Sequence, residues 1–475
     1  MESTLELDDI QGYVVRGYKH MQYSRFVLLH VANAATAKKW LATLTDAITN
    51  ATHIPNKADL PNTCLNLAFT SLGLRALGLY DANMQHFIRE FREGMTTPHR
   101  QRLLGDFDSS APENWRWGGP STDEVHISLM VFGADKDTCL NYYNQLQQQF
   151  LAAGVTEITQ LDGQTLSNNK EHFGFRDGIS QPTIKGSGRT GPPNDDIEPG
   201  EFVLGYKNEY EVFPDTPLLA DEQGEFNLLP SDAAGSGKKD LGRNGSYLVM
   251  RQMQQDVNGY WTFLNNQTLN PDGTVNYDES MKLGAKMMGR WQSGAPVVKY
   301  PDKDPGGYSD DNNFGYLELD KDGTKCPFGS HLRRSNPRDN FEDDGAKESW
   351  RLTRRHRIIR RARLYGDPYE GSPTNLTPNG EVGLLFLCFN ADISRQFEFI
   401  QYTWANFPKF KELYNDPDPI TGVRETPDHG QEQNFTIQDK PVSRVVKDLK
   451  RFIYIRGGAY FFFPSITTIR YLTTI

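Results

Sequence analysis

The sequence predicts an α+β fold made of two ferredoxin-like α/β units with antiparallel sheets. Three observations point there. In the first third of the 475 residues, strand-like and helix-like segments follow the order strand, helix, strand, strand, helix. The second half carries a rougher strand–helix–strand order. A turn-rich stretch of Gly, Pro, Asp and Glu over 185–242 separates the two. The expected organisation is an N-terminal unit over 1–184, a loop-rich connection over 185–242 and a C-terminal unit over 243–475.

Taken in order, residues 25–31 (RFVLLHV) are β-branched and apolar and read as a strand. In 36–50, Trp40, Leu41, Leu44 and Ile48 fall at helical spacing. Residues 66–70 read as a short strand, 72–79 as a helix and 124–132 (EVHISLMVF) as another strand. In 135–153, Leu140, Tyr143, Leu146 and Phe150 share one helical face, and 156–161 is a further short strand. GEFVLGY at 200–206 interrupts the connection with strand-like residues. In the second half, 246–250 and 260–264 read as strand or extended pieces and 279–291 as a helix. Residues 383–390 (GLLFLCFN) read as a buried strand, 392–404 as an amphipathic helix and 457–464 as a closing strand. The terminal TTIRYLTTI is strand-like. There is no exact internal repeat.

Hydrophobic residues make up 37% and charged residues 24%, the profile of a folded chain and not a disordered one. No apolar run approaches the roughly 18 residues of a membrane span, so a membrane is not an expected partner. The net charge of −10 repels phosphate backbones, so nucleic acid is not expected either. The N-terminus, MESTLELDDIQGY, lacks the basic and apolar regions of a secretory signal. Cys64, Cys139, Cys326 and Cys388 are far apart and form no CxxC pair, which suits neither a disulfide framework nor a zinc knuckle. The expected location is cytoplasmic. A homo-oligomer is compatible with all of this.

Three positions could carry chemistry. In HFGFRDGISQP (172–182), Asp177 stands between Arg176 and Gly178, behind Phe173 and Phe175. Asp-Gly is an ordinary turn pair. Beside phenylalanines, however, the acid would sit in an apolar pocket, its pKa would rise and it could move protons. His331, in CPFGSHLRRSNPR (326–338), is one of ten histidines, most of which are structural. A neutral imidazole can hold a heme iron, and the neighbouring arginines would suit heme propionates. Cys326 leaves a Cys/His zinc site open, although no second pair at zinc-like spacing supports it. Arg360 lies in the basic run RLTRRHRIIRRAR (351–363), for which a solvated face is the default. Ile358 and Ile359 draw the segment towards a core, where an arginine must be paired or face an anion. Such a cation could stabilise charge on a breaking O–O bond.

GFRDG at 174–178 matches the GxxDG motif of the dye-decolorizing peroxidases, and the chain resembles that family block by block. In family order follow DDIQGYVVRGY (8–18), NLAFTSLGLRALGL (66–79), GEFVLGY, MMGRWQSGAP (287–296), CPFGSHLRRSNPR, IIRRARLYG (358–366), GLLFLCF (383–389) and QFEFIQYTWAN (396–406). GxxDG alone is weak; the ordered set, spanning nearly the whole chain apart from loops, is specific. The resemblance implies ferredoxin-like units of the dimeric α+β barrel type, with one heme b (iron protoporphyrin IX) per chain in the C-terminal half. It puts the distal aspartate at Asp177, the iron ligand at His331 and the distal arginine at Arg360, with Arg361 as the adjacent fallback. It also implies Arg338 as a propionate partner and Ile179, Leu384 and Phe386 as apolar residues against the heme. Asp392 or Glu398 would accept the hydrogen bond of His331 Nδ1. Some members carry asparagine two residues after the distal arginine; here that position is Ala362.

The implied activity is heme-dependent reduction of hydrogen peroxide, coupled to oxidation of bulky aromatic reductants such as anthraquinone-type dyes and phenols. Asp177, or Arg360 with a water, would move a proton between the peroxide oxygens while Arg360 stabilises the charge. The low reference pKa of aspartate predicts an acidic optimum for dye oxidation. Bulky dyes do not suit a tight pocket, so the 21 tyrosines and 7 tryptophans are candidate electron relays. One rival is a heme-binding or heme-iron-handling protein without turnover. The other is a heme-free module in which Asp177 is only a turn residue.

Overall fold

The structure, a computed structural model, describes residues 4–166, 168–341, 345–424 and 433–475. The first three residues of the N-terminal stretch read above lie outside the described residues. Strands β1 (Tyr23–Val31), β2 (Thr63–Phe69), β3 (Ile127–Gly133) and β4 (Val155–Gln164) pair in the antiparallel order β2-β3-β1-β4. With the helices Ala34–Leu44 and Lys136–Ala152 they form a ferredoxin-like unit. The C-terminal half contributes β5 (Ser246–Gln255), β6 (Ile359–Arg360), β7 (Arg363–Tyr365), β8 (Gly383–Asn390) and β9 (Ile453–Phe463). Here β9, β5 and β8 are neighbours, and the short β6 and β7 share the other edge of β8. Single pairs, Phe462 with Phe69 and Gln164 with Leu364, join the two sheets at both ends. The strands therefore close into a barrel within one chain.

Alternation along the strands decides what each face packs against. Phe26, Leu28, Phe132, Leu387, Phe389 and Phe463 point inward and form one cluster shared by both halves. Tyr13 from the N-terminal segment fills it, with its ring 4.7 Å from Phe132 and 5.9 Å from Phe389. The intervening Val27, Leu29, Leu129 and Val131 face outward, beneath Trp40, Leu146 and Phe150 of the covering helices.

Four segments differ from the sequence expectation. Residues 200–206 are buried turns, held by Gly200 N–H to Lys207 O and Leu204 N–H to Gly245 O. Residues 260–264 belong to the helix Val257–Asn266, started by the Asp256 carboxylate accepting from Gly259 N–H at 2.8 Å. The C-terminal residues form the helix Ile466–Leu472, where Ser465 Oγ accepts from Thr468 N–H at 3.0 Å. In both helices the apolar content suits strand or helix, and the cap decides. The helix expected over 392–404 is π-helical at Ser394–Glu398 and Ile400–Asn406, a wide turn frequent at functional sites. Among the described residues no helix is long and apolar enough to cross a membrane.

Candidate active site

A cavity, partly open to solvent, lies on the outer face of β5 and β8 in the C-terminal half. Strand alternation builds its wall: Leu384 and Phe386 face the cavity, while Leu385 and Leu387 enter the barrel. Ile179, and Phe397 and Ile400 of the π-helical segment, complete much of the apolar lining.

His331 opens the short helix His331–Ser335 and lies on this wall. Its Nδ1 is 2.9 Å from Oδ2 of Asp418, which is fully buried. Asp418 Oδ1 accepts from Ile420 N–H at 2.8 Å and Thr421 N–H at 2.9 Å. Burial pushes the Asp418 carboxyl up, but the charge and hydrogen bond of His331 outweigh it and hold the pKa at about 2. Burial likewise disfavours the His331 imidazolium, and Asp418 overcomes this and raises its pKa. An anion on Nδ1 fixes the proton there and leaves Nε2 as the nitrogen available to a metal. The expected acceptors are engaged elsewhere. Asp392 accepts from Ser394 Oγ and Arg395 N–H at the start of its helix. Glu398 is paired with the buried Arg100 at 2.6 Å and accepts from Tyr460 at 2.8 Å.

Asp177 closes a tight turn. Gly174 has φ +94°, and a Cβ there would stand 2.1 Å from Gly371 O, so only glycine fits. Gly178, at φ +79°, turns its N–H back onto Asp177 Oδ1 at 2.6 Å. Arg360 Nη1 donates to the same oxygen at 2.8 Å, which leaves Oδ2 without a partner among the described residues. Arg360 is held by its place opposite Cys388 and by its own N–H, which donates to Gln181 Oε1 at 3.0 Å. Arg361 points the other way and donates to the carbonyls of Tyr13 and Val14. The two-residue period of a strand thus separates the adjacent arginines. The expected rise in the Asp177 pKa does not occur. Burial pushes it up, but the Arg360 charge and the Gly178 N–H bring it below the ordinary value.

Arg176, Arg290 and Arg357 place three guanidinium groups on the cavity wall. Arg357 donates through Nη1 to Asp195 at 2.7 Å, while its Nη2 is buried without a partner, as are both amide atoms of Asn336. Of these, Arg357 Nη2 and Asn336 Nδ2 are unpaired donors on residues of the cavity wall, which suits an anionic group. Arg338, expected in that role, does not line the cavity. It lies one layer out and donates to Asn312 O at 2.9 Å and Phe314 O at 2.8 Å. Arg333 and Arg334 beside His331 are also engaged within the fold, by Asp320 at 2.8 Å and by Ala405 O at 3.2 Å. Cys326 is buried against Ser330 Oγ at 3.3 Å and does not join His331 on the wall. The missed residues carried weak signals. Arg357 shares the basic run of Arg360, and Asn336 precedes Arg338 in the same block, but nothing local marks either as unpaired.

The family model for the DyP dimeric alpha+beta barrel domain matches residues 9–166. Peroxidase 2 of Mycetinis scorodonius is 32% identical, over 98% of this chain and 87% of its own length. Dye-decolorizing peroxidase msp1 of the same fungus is 30% identical, over 99% of this chain and 88% of its own. The chain belongs to the dye-decolorizing peroxidase family. A solved ancestral D-type dye-decolorizing peroxidase superposes with a TM-score of 0.80 at 27% identity, covering 100% of both chains. The DyP-type peroxidase of Auricularia auricula-judae gives 0.78 at 25%, again over 100% of both chains. As a dye-decolorizing peroxidase the protein is an oxidoreductase that uses peroxide as acceptor, and its two-unit α+β fold is that of the family.

Proposed function

We propose that this dye-decolorizing peroxidase holds heme b in the cavity beside His331, reduces hydrogen peroxide there and oxidises phenols and anthraquinone-type dyes. The observation that carries the reading is the meeting of an Asp418-fixed histidine and an Asp177–Arg360 pair on the walls of one cavity. The residues fit the group. His331 offers Nε2 to iron, the apolar wall of Ile179, Leu384 and Phe386 suits a porphyrin, and Arg357 and Asn336 hold unpaired polar atoms for its carboxylates. When bound, heme supplies the iron redox chemistry that links peroxide to the reductant. Asp177, ionised and with Oδ2 open, takes a proton from one peroxide oxygen and returns it to the other. Arg360 supplies fixed positive charge beside it. A related dye-decolorizing peroxidase is known in complex with 2,6-dimethoxyphenol, which supports a phenolic reductant.

Stopped-flow absorbance of the heme-loaded protein tests the reading. A Soret band that falls and shifts at once on adding peroxide is expected; a band that ignores peroxide, or no band after heme addition, overturns it. The same measurement across pH tests Arg360. Because the folded Asp177 pKa is depressed, its base form persists until the pH falls below the ordinary carboxylate value. Arg360→Leu removes the charge that holds it down. The acid limb of the peroxide step should therefore move to higher pH, with a rate loss of about 100-fold. A limb that stays in place would show that Arg360 does not set the charge of Asp177. Asp418→Asn should weaken heme retention or slow the peroxide step by about 10–100-fold, as loss of a ligand's orienting partner does. Unchanged heme affinity and rate would exclude that role.

A further inference from the structure

Glu171 stands at the base of the turn that carries Asp177, and its side chain lines the same cavity. The turn is built around it. Its N–H donates to Phe175 O, and its carbonyl accepts from Gly174 N–H. Its carboxylate accepts from Phe173 N–H and Phe175 N–H, each at 3.0 Å, and from Gln255 Nε2 on β5 at 2.6 Å. Further along, Asp177 N–H donates to Asn169 O at 3.0 Å. One side chain thus ties the backbone leading to Asp177 to a barrel strand.

The Gln255 amide is oriented to suit an ionised Glu171. A carboxylate can only accept, so the amide must turn its NH₂ towards Glu171. That leaves Gln255 Oε1 buried without a partner. A protonated carboxyl has a hydrogen to donate, and a reversed amide would accept it through that oxygen. We propose that Glu171 is a positioning residue for Asp177, holding the turn taut when ionised and slackening it when protonated, with the Gln255 amide reversing as it does so. The proposal rests on the reading of Asp177 as the proton carrier.

The groups around Glu171 favour a change of charge within the working range. Burial raises its pKa, and the three donors oppose that only in part, leaving it at about 7. Asp177 on its own turn repels the second negative charge. Tyr260, from the helix Val257–Asn266, is buried nearby with its hydroxyl unpartnered. Its ring lies 4.5 Å from that of Phe173. The other charged or titratable residues of the cavity wall are His331, His356, Arg176, Arg290, Arg357 and Arg360, besides Asp177. The repulsion is reciprocal, so an ionised Glu171 makes Asp177 the stronger base. Slackening and lost repulsion act in the same direction: the peroxide step slows as Glu171 is protonated. This partial step lies above the full acid limb set by Asp177 itself.

The experiment uses the heme-loaded enzyme as wild type, Glu171→Gln, Gln255→Leu and Asp177→Asn. The rate of the Soret change with peroxide is read from about pH 6 to about pH 8, with infrared difference spectra over the same range to follow buried carboxyl protonation. Wild type should slow by about threefold or more towards acid and gain a protonated-carboxyl band. Glu171→Gln should lack the band and run flat at the slow, acid-side rate. Gln255→Leu removes a donor that favours the ionised form, so its step should move to higher pH. A Glu171→Gln variant that keeps the wild-type step or the band overturns the proposal, as does a step that stays in place in Gln255→Leu. If Asp177→Asn reacts with peroxide as fast as wild type at every pH, the reading of Asp177 fails instead, whatever Glu171 does.

Discussion

Replacing His331 by alanine is expected to abolish the native Soret band while leaving a folded protein. His356 is the other histidine on the cavity wall; its ring is stacked on Phe399 at 4.0 Å and its Nδ1 faces Arg395 O. The change also strands Asp418, a fully buried anion that retains its backbone donors but loses its imidazole partner. Removing one partner of a buried ion pair costs on the order of 3 kcal/mol. Melting of the heme-free protein should therefore fall. The double variant His331→Ala/Asp418→Ala should recover part of that stability while the Soret band stays lost. A single variant with wild-type spectrum and peroxide response would remove His331 from the site. A double variant no more stable than the single one would show that the pair is not the source of the cost.

Asp177→Asn is expected to slow the peroxide step by about 10²–10⁴-fold, the usual worth of a positioned acid–base group. The substitution is nearly isosteric. The amide oxygen can still accept from Gly178 N–H and Arg360, so the turn and the heme spectrum should be retained. What disappears is the ability to hold a proton. Stopped-flow peroxide reaction and equilibrium Soret spectra, measured on one preparation, separate the two effects. A rate within about threefold of wild type, with an intact spectrum, would leave Arg360 and solvent as the proton path.

Much of this molecule is legible in its sequence. The apolar and β-branched runs at 25–31, 124–132 and 383–390 identify strands. Leu384 and Phe386 alternate with Leu385 and Leu387 whatever the rest of the chain does. The two helices misread as strands, Val257–Asn266 and Ile466–Leu472, have compositions that serve either state, and a single capping side chain tipped each.

The sequence by itself determined the fold class and the family blocks and pointed to His331, Asp177 and Arg360 as candidate site residues, because these rest on local pattern and on motifs in order. Only the tertiary structure decided the partners. Asp418 reaches His331 across 87 positions from a loop with no periodic signal. Arg338 is engaged one layer from the cavity, while Arg357 and Asn336 keep buried atoms free on its wall. The apolar neighbours of Asp177 suggested a raised pKa, and the guanidinium set beside it by β6 reversed the sign. Hydrogen bonding and charge pairing are decided by which groups meet in space, and in a closed barrel the groups that meet at the cavity come from segments far apart in the chain.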